Sequence, residues 1–309
     1  MSKYSDSIPA DILESIGWFY DDIKPNSTFL DFGCSTGYYG AFVRKNKSCK
    51  VYGVEISDDK YEAEKVLDGV YSFDIDNEWP KEVYERKYDG VWFGDVIEHL
   101  KYPDKALERS KELLNKGGKI YVSTPNIAHI SIRLELLGGN FQYEPTGILD
   151  DTHLKYFTLD SLKRLCISAG FDIIKIDYSL RDYPRGVVTR LLDACGVEAH
   201  ERFWKLLSDP TARAYQYRLV LAPAKKGMKK ISAPDPIVKP EQYKTYLIDD
   251  LHNQIKQLKA DTKNKEKLVK KELQNNKKLL EALEDIRNSR TYKAARILAK
   301  TKQKIKRAS

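Results

Sequence analysis

Apolar and polar positions along the first two-thirds of the chain alternate between two periods. Apolar or alternating runs at Thr28 to Phe32, Val51 to Val54, Tyr88 to Phe93, Lys119 to Ser123, Phe171 to Ile176 and Tyr215 to Leu221 read as strands. Between them, Lys105 to Leu114 reads as a helix ended by Gly117-Gly118, Leu159 to Ala169 as a helix leading through Gly170, and Val187 to Leu207 as a further helix. Strand-helix alternation of this kind predicts an α/β fold with a doubly wound, mostly parallel sheet.

The pattern then changes. Residues 224–240, with Pro234 and Pro236 following Pro223, lack apolar periodicity and read as a linker. From there Ile248, Leu251, Ile255, Leu258, Thr262, Lys265, Val269, Glu272, Asn276, Leu279, Leu283 and Ile286 recur in steps of three and four, the seam of a coiled coil with apolar ends and a polar middle. The expected organisation is a domain over 1–223, the linker over 224–240, a coiled-coil stalk over 241–290 that self-associates into a homo-oligomer, and a basic amphipathic tail over 291–309.

Charge sharpens that division. Arg287 to Ser309 holds nine cations and no acid against a net charge of +8 for the whole chain, so the first 286 residues balance near −1. The folded part therefore offers no general field for nucleic acid, and the tail suits a peripheral contact with anionic membrane. Hydrophobic residues make up 41% of the chain, and no window approaches the ~18 uninterrupted apolar residues of a spanning helix. The cysteines Cys34, Cys49, Cys166 and Cys195 have no paired spacing, and Met1 to Ser7 lacks a basic-then-apolar leader, so a cytoplasmic location is expected, with the tail at the inner membrane face.

The most specific chemistry lies between Thr28 and Glu55. A strand ending Leu30-Asp31-Phe32 runs into Gly33-Cys34-Ser35-Thr36-Gly37, a helix starts there, and a second strand ends in Glu55. That is a nucleoside-binding half-site, with Glu55 placed to accept hydrogen bonds from ribose hydroxyls. A dinucleotide fingerprint is excluded, because Ser35 stands where a second glycine would clear room for pyrophosphate, and Asp31 would oppose a phosphate while suiting an ammonium group. S-adenosylmethionine has the ribose and the amine and lacks the phosphate.

Further along, Asp95, Glu98 and His99 stand at i, i+3 and i+4, on one face if the turn is helical, and His153 lies in a loop expected at the same rim. Two roles stay open for this set: ligands to a divalent metal such as Mg, or His153 or His99 as a general base.

The turn Asp31-Phe32-Gly33-Cys34-Ser35-Thr36-Gly37, the acid Glu55 and Gly94-Asp95-Val96-Ile97-Glu98-His99-Leu100 resemble class I S-adenosylmethionine-dependent methyltransferases over residues 20–223. The resemblance implies a seven-stranded Rossmann-like sheet with its last strand reversed. It also implies that Asp31, Gly33 and Gly37 line the methionine end, that Glu55 grips the ribose, that Asp74 and Ile75 flank adenine, and that Asp95 lies beside the cofactor. Some methyltransferase families use a similar acid-x-x-Glu-His set with a later histidine as metal ligands, which implies Asp95, Glu98, His99 and His153 here. The tracts Ser123-Thr124-Pro125-Asn126, Leu136-Leu137-Gly138-Gly139-Asn140 and Asp151-Thr152-His153-Leu154 resemble a branch found with bacterial surface-glycan enzymes. The implied acceptor is a sugar hydroxyl of a glycan or glycolipid precursor. A small-molecule or quinone O-methyltransferase and a non-catalytic cofactor-binding scaffold of a glycan-assembly complex are the alternatives.

Overall fold

The computed structural model describes residues 15–225, 240–289 and 293–298. It divides into two units, Met1–Ala233 and Pro234–Ser309. Residues 1–14, most of the expected linker and most of the basic tail lie outside the described residues.

The first unit is a seven-stranded sheet. Its strands are β1 (Thr28–Phe32), β2 (Lys50–Val54), β3 (Gly69–Tyr71), β4 (Tyr88–Gly94), β5 (Leu114–Pro125), β6 (Phe171–Leu180) and β7 (Ala214–Pro223), in the order β3-β2-β1-β4-β5-β7-β6. Strands β1 to β5 pair in parallel, whereas β7 runs antiparallel to both of its neighbours. The order reverses at β1, between β2 and β4. This is the switch point of an open α/β sheet, where a crevice forms beyond the strand C-termini.

Both faces of the sheet are covered, which explains why the central strands are apolar at nearly every position. On one face Leu30, Phe32, Val91 and Phe93 join Trp79, Leu107 and Leu162, with the Phe32 and Phe93 rings stacked at 4.5 Å. On the other, Phe29, Val51, Trp92 and Tyr121 pack with Trp18, Phe19 and Ile23 from the short helix α1 (Gly17–Tyr20) and its following turn. Fully burying one such aromatic or aliphatic side chain contributes ~1.5–3 kcal/mol.

The helices in the first unit are α2 (Tyr38–Lys47), α3 (Lys60–Val66), α4 (Lys81–Tyr84), α5 (Pro103–Ser110), α6 (Ile130–Leu137), α7 (Leu159–Ser168), α8 (Arg185–Ala194), α9 (Glu201–Leu207) and α10 (Pro210–Arg213). Two expected helices are corrected. The run Lys105 to Leu114 is α5 followed by a tight 3-10 turn at Lys111–Leu113, and β5 then begins at Leu114, earlier than Lys119. The run Val187 to Leu207 is two helices, because the Cys195 N–H closes back on Leu191 and Leu192 and Gly196 takes a left-handed φ of 68°, ending α8 before His200 caps α9. Helix α7 starts as the sequence suggests, with Thr158 and Ser161 forming a reciprocal cap.

The second unit is the helix α11 (Pro240–Asn288). Its seam residues Ile248, Leu251, Ile255, Leu258, Val269, Leu279, Leu283 and Ile286 are all exposed. Among the described residues no helix is long and apolar enough to cross a membrane.

Candidate active site

The turn after β1 is tied to the end of β2 by its own backbone. Gly33 and Cys34 N–H groups both donate to the Val54 carbonyl, at 2.8 and 3.1 Å. Gly33 has φ 68°, and a Cβ there would sit 2.7 Å from Val96 Cγ2, so only glycine lets the turn pass under the loop after β4. Ser35 donates its N–H to Glu55 Oε2 at 2.9 Å, and Ser57 donates to Oε1 at 2.8 Å. The Glu55 carboxylate is thereby aimed at the turn, and each of its oxygens keeps a lone pair for a further donor.

Asp31 lines the crevice beyond this turn. It is 5% exposed and has no hydrogen-bond partner among the described residues. Burial, with the charge of Glu55 adding to it, pushes its pKa well above the ordinary carboxylate value. An incoming cation would reverse that shift. The crevice measures about 320 Å³; Asp31, Gly33, Ser35, Tyr39 and Trp92 form part of its lining, and Asp95, Ser179, Arg181, Tyr215, Gln216 and Arg218 another part. Gly37, at φ 78°, serves instead to start α2, with Ala63 Cα only 3.1 Å from where a Cβ would stand. Asp74 is exposed and accepts from Asp76 N and Asn77 Nδ2, while the half-buried Ile75 offers its carbonyl to Trp79 Nε1. Neither belongs to the lining of the crevice.

The loop after β4 departs from the expected helical face. Asp95 has a left-handed φ of 54°, and only Ile97–His99 form a single 3-10 turn, so Asp95 does not share a face with Glu98 and His99. Its carboxylate is taken by Gln216 Nε2, 2.7 Å from both oxygens, and by the Ser123 hydroxyl at 3.3 Å. Gln216 is held in turn by Arg218, whose Nε donates to Oε1 at 3.0 Å and whose guanidinium lies 3.6 Å from Asp177. Of the four residues expected as metal ligands, the structure brings three together and leaves Asp95 out.

Those three converge closely. One ligand atom each from Glu98, His99 and His153 lies within 4.8 Å of the others. Leu154 and Lys155 donate their N–H groups to the Glu98 carbonyl at 2.8 and 2.9 Å, which straps the His153 loop onto the 3-10 turn. His153 Nδ1 donates to the Ile148 carbonyl at 3.1 Å. Thr152 gives its hydroxyl hydrogen to Asp150, so the 3.1 Å contact between its oxygen and His99 Nδ1 has the histidine as donor. The network thus assigns the protons of both rings to Nδ1 and leaves both Nε2 lone pairs free. Burial, reinforced by His153, holds the His99 pKa below its usual value and so favours the neutral ring. Glu98 is 1% exposed; Oε2 accepts from the Thr124 hydroxyl at 3.0 Å, and Oε1 has no hydrogen-bond partner among the described residues. Burial, with the charge of Asp95 adding to it, pushes the Glu98 pKa well above the ordinary carboxylate value, and a cation held between its carboxyl and the two imidazoles would reverse that shift.

Sequence reasoning missed the wall on β6 and β7. A signal was present: Gln216 and Arg218 are polar at alternate positions within a strand buried between two others, and a buried arginine in a central strand calls for a partner. Arg181 and Tyr215, which also line the crevice, had no comparable mark.

An α/β sheet with β7 reversed, an acid-terminated β2 and a glycine turn at the switch point define a nucleoside-binding enzyme fold. Residues 4–176 match the family described as methyltransferase domain, and the chain belongs to that family. It is 28% identical over 152 residues to the tRNA U34 carboxymethyltransferase of Sulfurovum sp. (strain NBC37-1), covering 47% of this chain and 48% of the relative. The chain therefore spans about half the length of the curated relative it matches. Among solved structures it is similar to an S-adenosylmethionine-dependent methyltransferase from Archaeoglobus fulgidus, at 17% identity and a TM-score of 0.48, covering 68% of this chain and 93% of that one. The CcbJ methyltransferase from Streptomyces caelestis matches at 15% identity and a TM-score of 0.45, over 72% and 95% of the two chains.

The site fits S-adenosylmethionine on its own chemistry. Asp31 offers an ammonium a buried carboxyl with no hydrogen-bond donor among the described residues, and Glu55 offers two fixed acceptors to a ribose.

Proposed function

We propose that this methyltransferase transfers its methyl group to a hydroxyl of a glycan or glycolipid precursor. The observation that carries the reading is a second groove of about 420 Å³, lined by Ser131, Glu135, Asn140, Gln142, Glu144 and Thr146, by the rings of Tyr183 and Tyr215, and by the aliphatic side chains of Ile132, Ile148 and Leu149. Tyr215 also lines the cofactor crevice, so the groove opens beside it. Amides, carboxylates and hydroxyls interspersed with aromatic and aliphatic faces match a ligand such as a sugar, which carries hydroxyls at its rim and C–H groups on its ring faces.

Methyl transfer is an in-line displacement, and the protein's main contribution is positioning. S-adenosylmethionine, when bound, supplies an electrophilic methyl on a cationic sulfur. Asp31 and Glu55 fix its two ends, and Gly33 allows the close approach. Asp95, held by Gln216 and Ser123, presents a carboxylate at the crevice. Glu98, His99 and His153 would hold a divalent cation, which when bound acidifies a hydroxyl. Two imidazoles and one carboxylate suit a first-row transition ion such as Mn²⁺ or Zn²⁺ better than Mg²⁺. The orphaned Glu98 Oε1 favours this role over that of a lone His153 base, which would leave the buried carboxylate uncompensated.

The exposed seam of α11 supports pairing with a second copy, its polar middle setting register, and the expected division into a domain to residue 223, linker, stalk and basic tail follows the same composition. Action in the cytoplasm against an anionic inner leaflet belongs to this reading. A tRNA acceptor is not carried over from the Sulfurovum relative, because residues 1–223 hold 29 Lys and Arg against 35 Asp and Glu, a net charge of −6, and lack the field that phosphate backbones require.

The test is a screen of the purified full chain with S-adenosylmethionine against sugars, lipid-linked sugars and phenols. Release of S-adenosylhomocysteine with sugars is expected. Turnover confined to phenols, or none with any acceptor while the cofactor binds, would overturn the acceptor assignment.

A further inference from the structure

Helix α11 exposes an apolar stripe large enough to cover a second copy of itself. Eleven Leu, Ile and Val side chains along it are between 46% and 69% exposed. At ~25 cal/mol per Å², fully burying one such side chain corresponds to roughly 60–120 Å². Two facing copies would then cover roughly 1,300–2,600 Å², against the ~1,200–2,000 Å² of a stable interface. Numbered as heptads from Ile248, the seam has Ile248, Ile255, Thr262, Val269, Asn276 and Leu283 at a. Its d positions start with Leu251 and Leu258, end with Leu279 and Ile286, and hold Lys265 and Glu272 between. Ile and Val at a, with Leu at d, select two strands, and a single Asn at a fixes their register.

A second copy can lie parallel or antiparallel, and residues off the seam separate the two. Leu268 at g and Leu273 at e are 65% and 69% exposed, and the a and d positions do not account for them. In a parallel coil a g residue meets the e residue five positions further along the other helix, so Leu268 of each copy meets Leu273 of the other. In an antiparallel coil e meets e, and with the apolar ends matched Leu273 meets Lys259 or Glu266 instead. Asn276 discriminates in the same direction. Parallel pairing sets it against its own counterpart, amide donating to amide, whereas antiparallel pairing sets it against Leu258 and leaves it without a partner. Thr262 is neutral, because its hydroxyl already donates to the Leu258 carbonyl at 2.8 Å. The parallel arrangement does stack like charges at Lys265 and Glu272. Glu266, at the neighbouring e position of the other copy, offsets Lys265, so Glu272 is the single uncompensated layer.

We infer that two copies of this chain pair through α11 as a parallel, in-register two-stranded coiled coil, with Asn276 facing Asn276 and Leu268 of each copy packed on Leu273 of the other. This rests on the pairing of α11 proposed above and adds its copy number and direction. Pro240 of both copies lies at one end of the coil and Asn288 of both at the other, so the nine cations that begin at Arg287 gather with those of the second copy.

The experiment uses the full chain, two single variants, Leu251→Cys and Leu279→Cys, and the double variant Leu251→Cys with Leu283→Cys. The native chain is the blank for its own Cys34, Cys49, Cys166 and Cys195. Light scattering of the native chain should give twice the mass of one chain. After incubation with oxidised glutathione, non-reducing gels should show each single variant cross-linked into a dimer, at least about fivefold above the native chain, because every d position meets itself. In an antiparallel coil the two copies of residue 251 stand about 48 Å apart at 1.5 Å per residue, too far for a disulfide, while residue 251 meets residue 283. The double variant therefore cross-links in either direction and reports that the introduced thiols react. A dimer in which the double variant cross-links and neither single variant does would overturn the parallel direction while leaving the pairing of α11 intact. A dimer in which no variant cross-links, or a native mass of three or more chains, would overturn the in-register two-stranded coil. A native chain that stays monomeric would instead break the underlying pairing.

Discussion

Replacing Glu55 by alanine tests the contact on which cofactor binding is built. In the structure the carboxylate spends one lone pair per oxygen on the Ser35 and Ser57 N–H groups, at 2.9 and 2.8 Å. That leaves one acceptor position per oxygen for the two ribose hydroxyls. Hydrogen bonds to a charged group contribute about 1.5 kcal/mol each at the low end, so losing two costs about 3 kcal/mol. At 1.4 kcal/mol per decade, the Kd for S-adenosylhomocysteine should rise about 100-fold. Glu55→Gln provides the control, because its amide nitrogen must face one of two backbone donors; it should lose affinity almost as severely even though it keeps the side-chain length. Isothermal calorimetry on the full chain reads the Kd, and thermal melting confirms that the sheet is intact. A change in Kd of less than about threefold in Glu55→Ala, with melting unaltered, would refute the ribose assignment and the crevice geometry derived from it.

Four further outcomes are expected. His153→Ala should leave S-adenosylhomocysteine affinity within twofold but lower turnover at least tenfold and reduce bound Mn²⁺ or Zn²⁺ measured by mass spectrometry; unchanged metal content and turnover would remove the Glu98–His99–His153 site. Gly53→Ala would place a Cβ 2.3 Å from Cys34 Sγ and 2.9 Å from Leu67 Cδ1, so overpacking should cost ~1–3 kcal/mol and lower the Tm by about 2–4 °C per kcal/mol. His129 is buried, and desolvation, helped by Arg181 and Arg133, holds its pKa below 6.5, so the unfolded chain takes up its proton first. Its effect on stability is absent well above pH 6.5 and becomes destabilising as pH falls below it; urea midpoints should therefore decline from pH 7 to 5, with a shallower slope in His129→Gln. Val269→Asp in α11 should convert an oligomer to monomers by light scattering, and a mass independent of this substitution would exclude the seam as the contact.

The parts of this protein that could be read from the chain are those in which neighbours in sequence are neighbours in space. Asp31, Gly33 and Glu55 fall within one βαβ crossover, so their spacing carries the geometry. Six of the seven strands follow from apolar or alternating runs, because a sheet covered on both faces needs apolar residues at almost every central position, whereas β3 is three half-buried residues too short to show a period, and the resemblance supplied the count of seven. The reversal of β7 left no such trace; the resemblance supplied it, and the spacing did not. Periodicity also misled at Asp95, where a helical face was assumed and a left-handed φ of 54° turns the carboxylate toward Gln216, 121 residues away. The acceptor wall is legible least of all. His99 and His153 meet only because the Leu154 and Lys155 N–H groups bind one carbonyl, and Arg181 meets Tyr215 only because β6 and β7 pair antiparallel. On the proposed reading, cofactor recognition is encoded locally and acceptor recognition by long-range pairing, so residues 126–153, which carry α6, can change the acceptor without disturbing Asp31, Gly33 or Glu55. Substitutions at Glu135, Gln142 or Tyr183, which line the second groove and not the crevice, should accordingly redirect acceptor choice while leaving cofactor affinity unmoved, and a variant there that lost both together would show that groove and crevice are coupled.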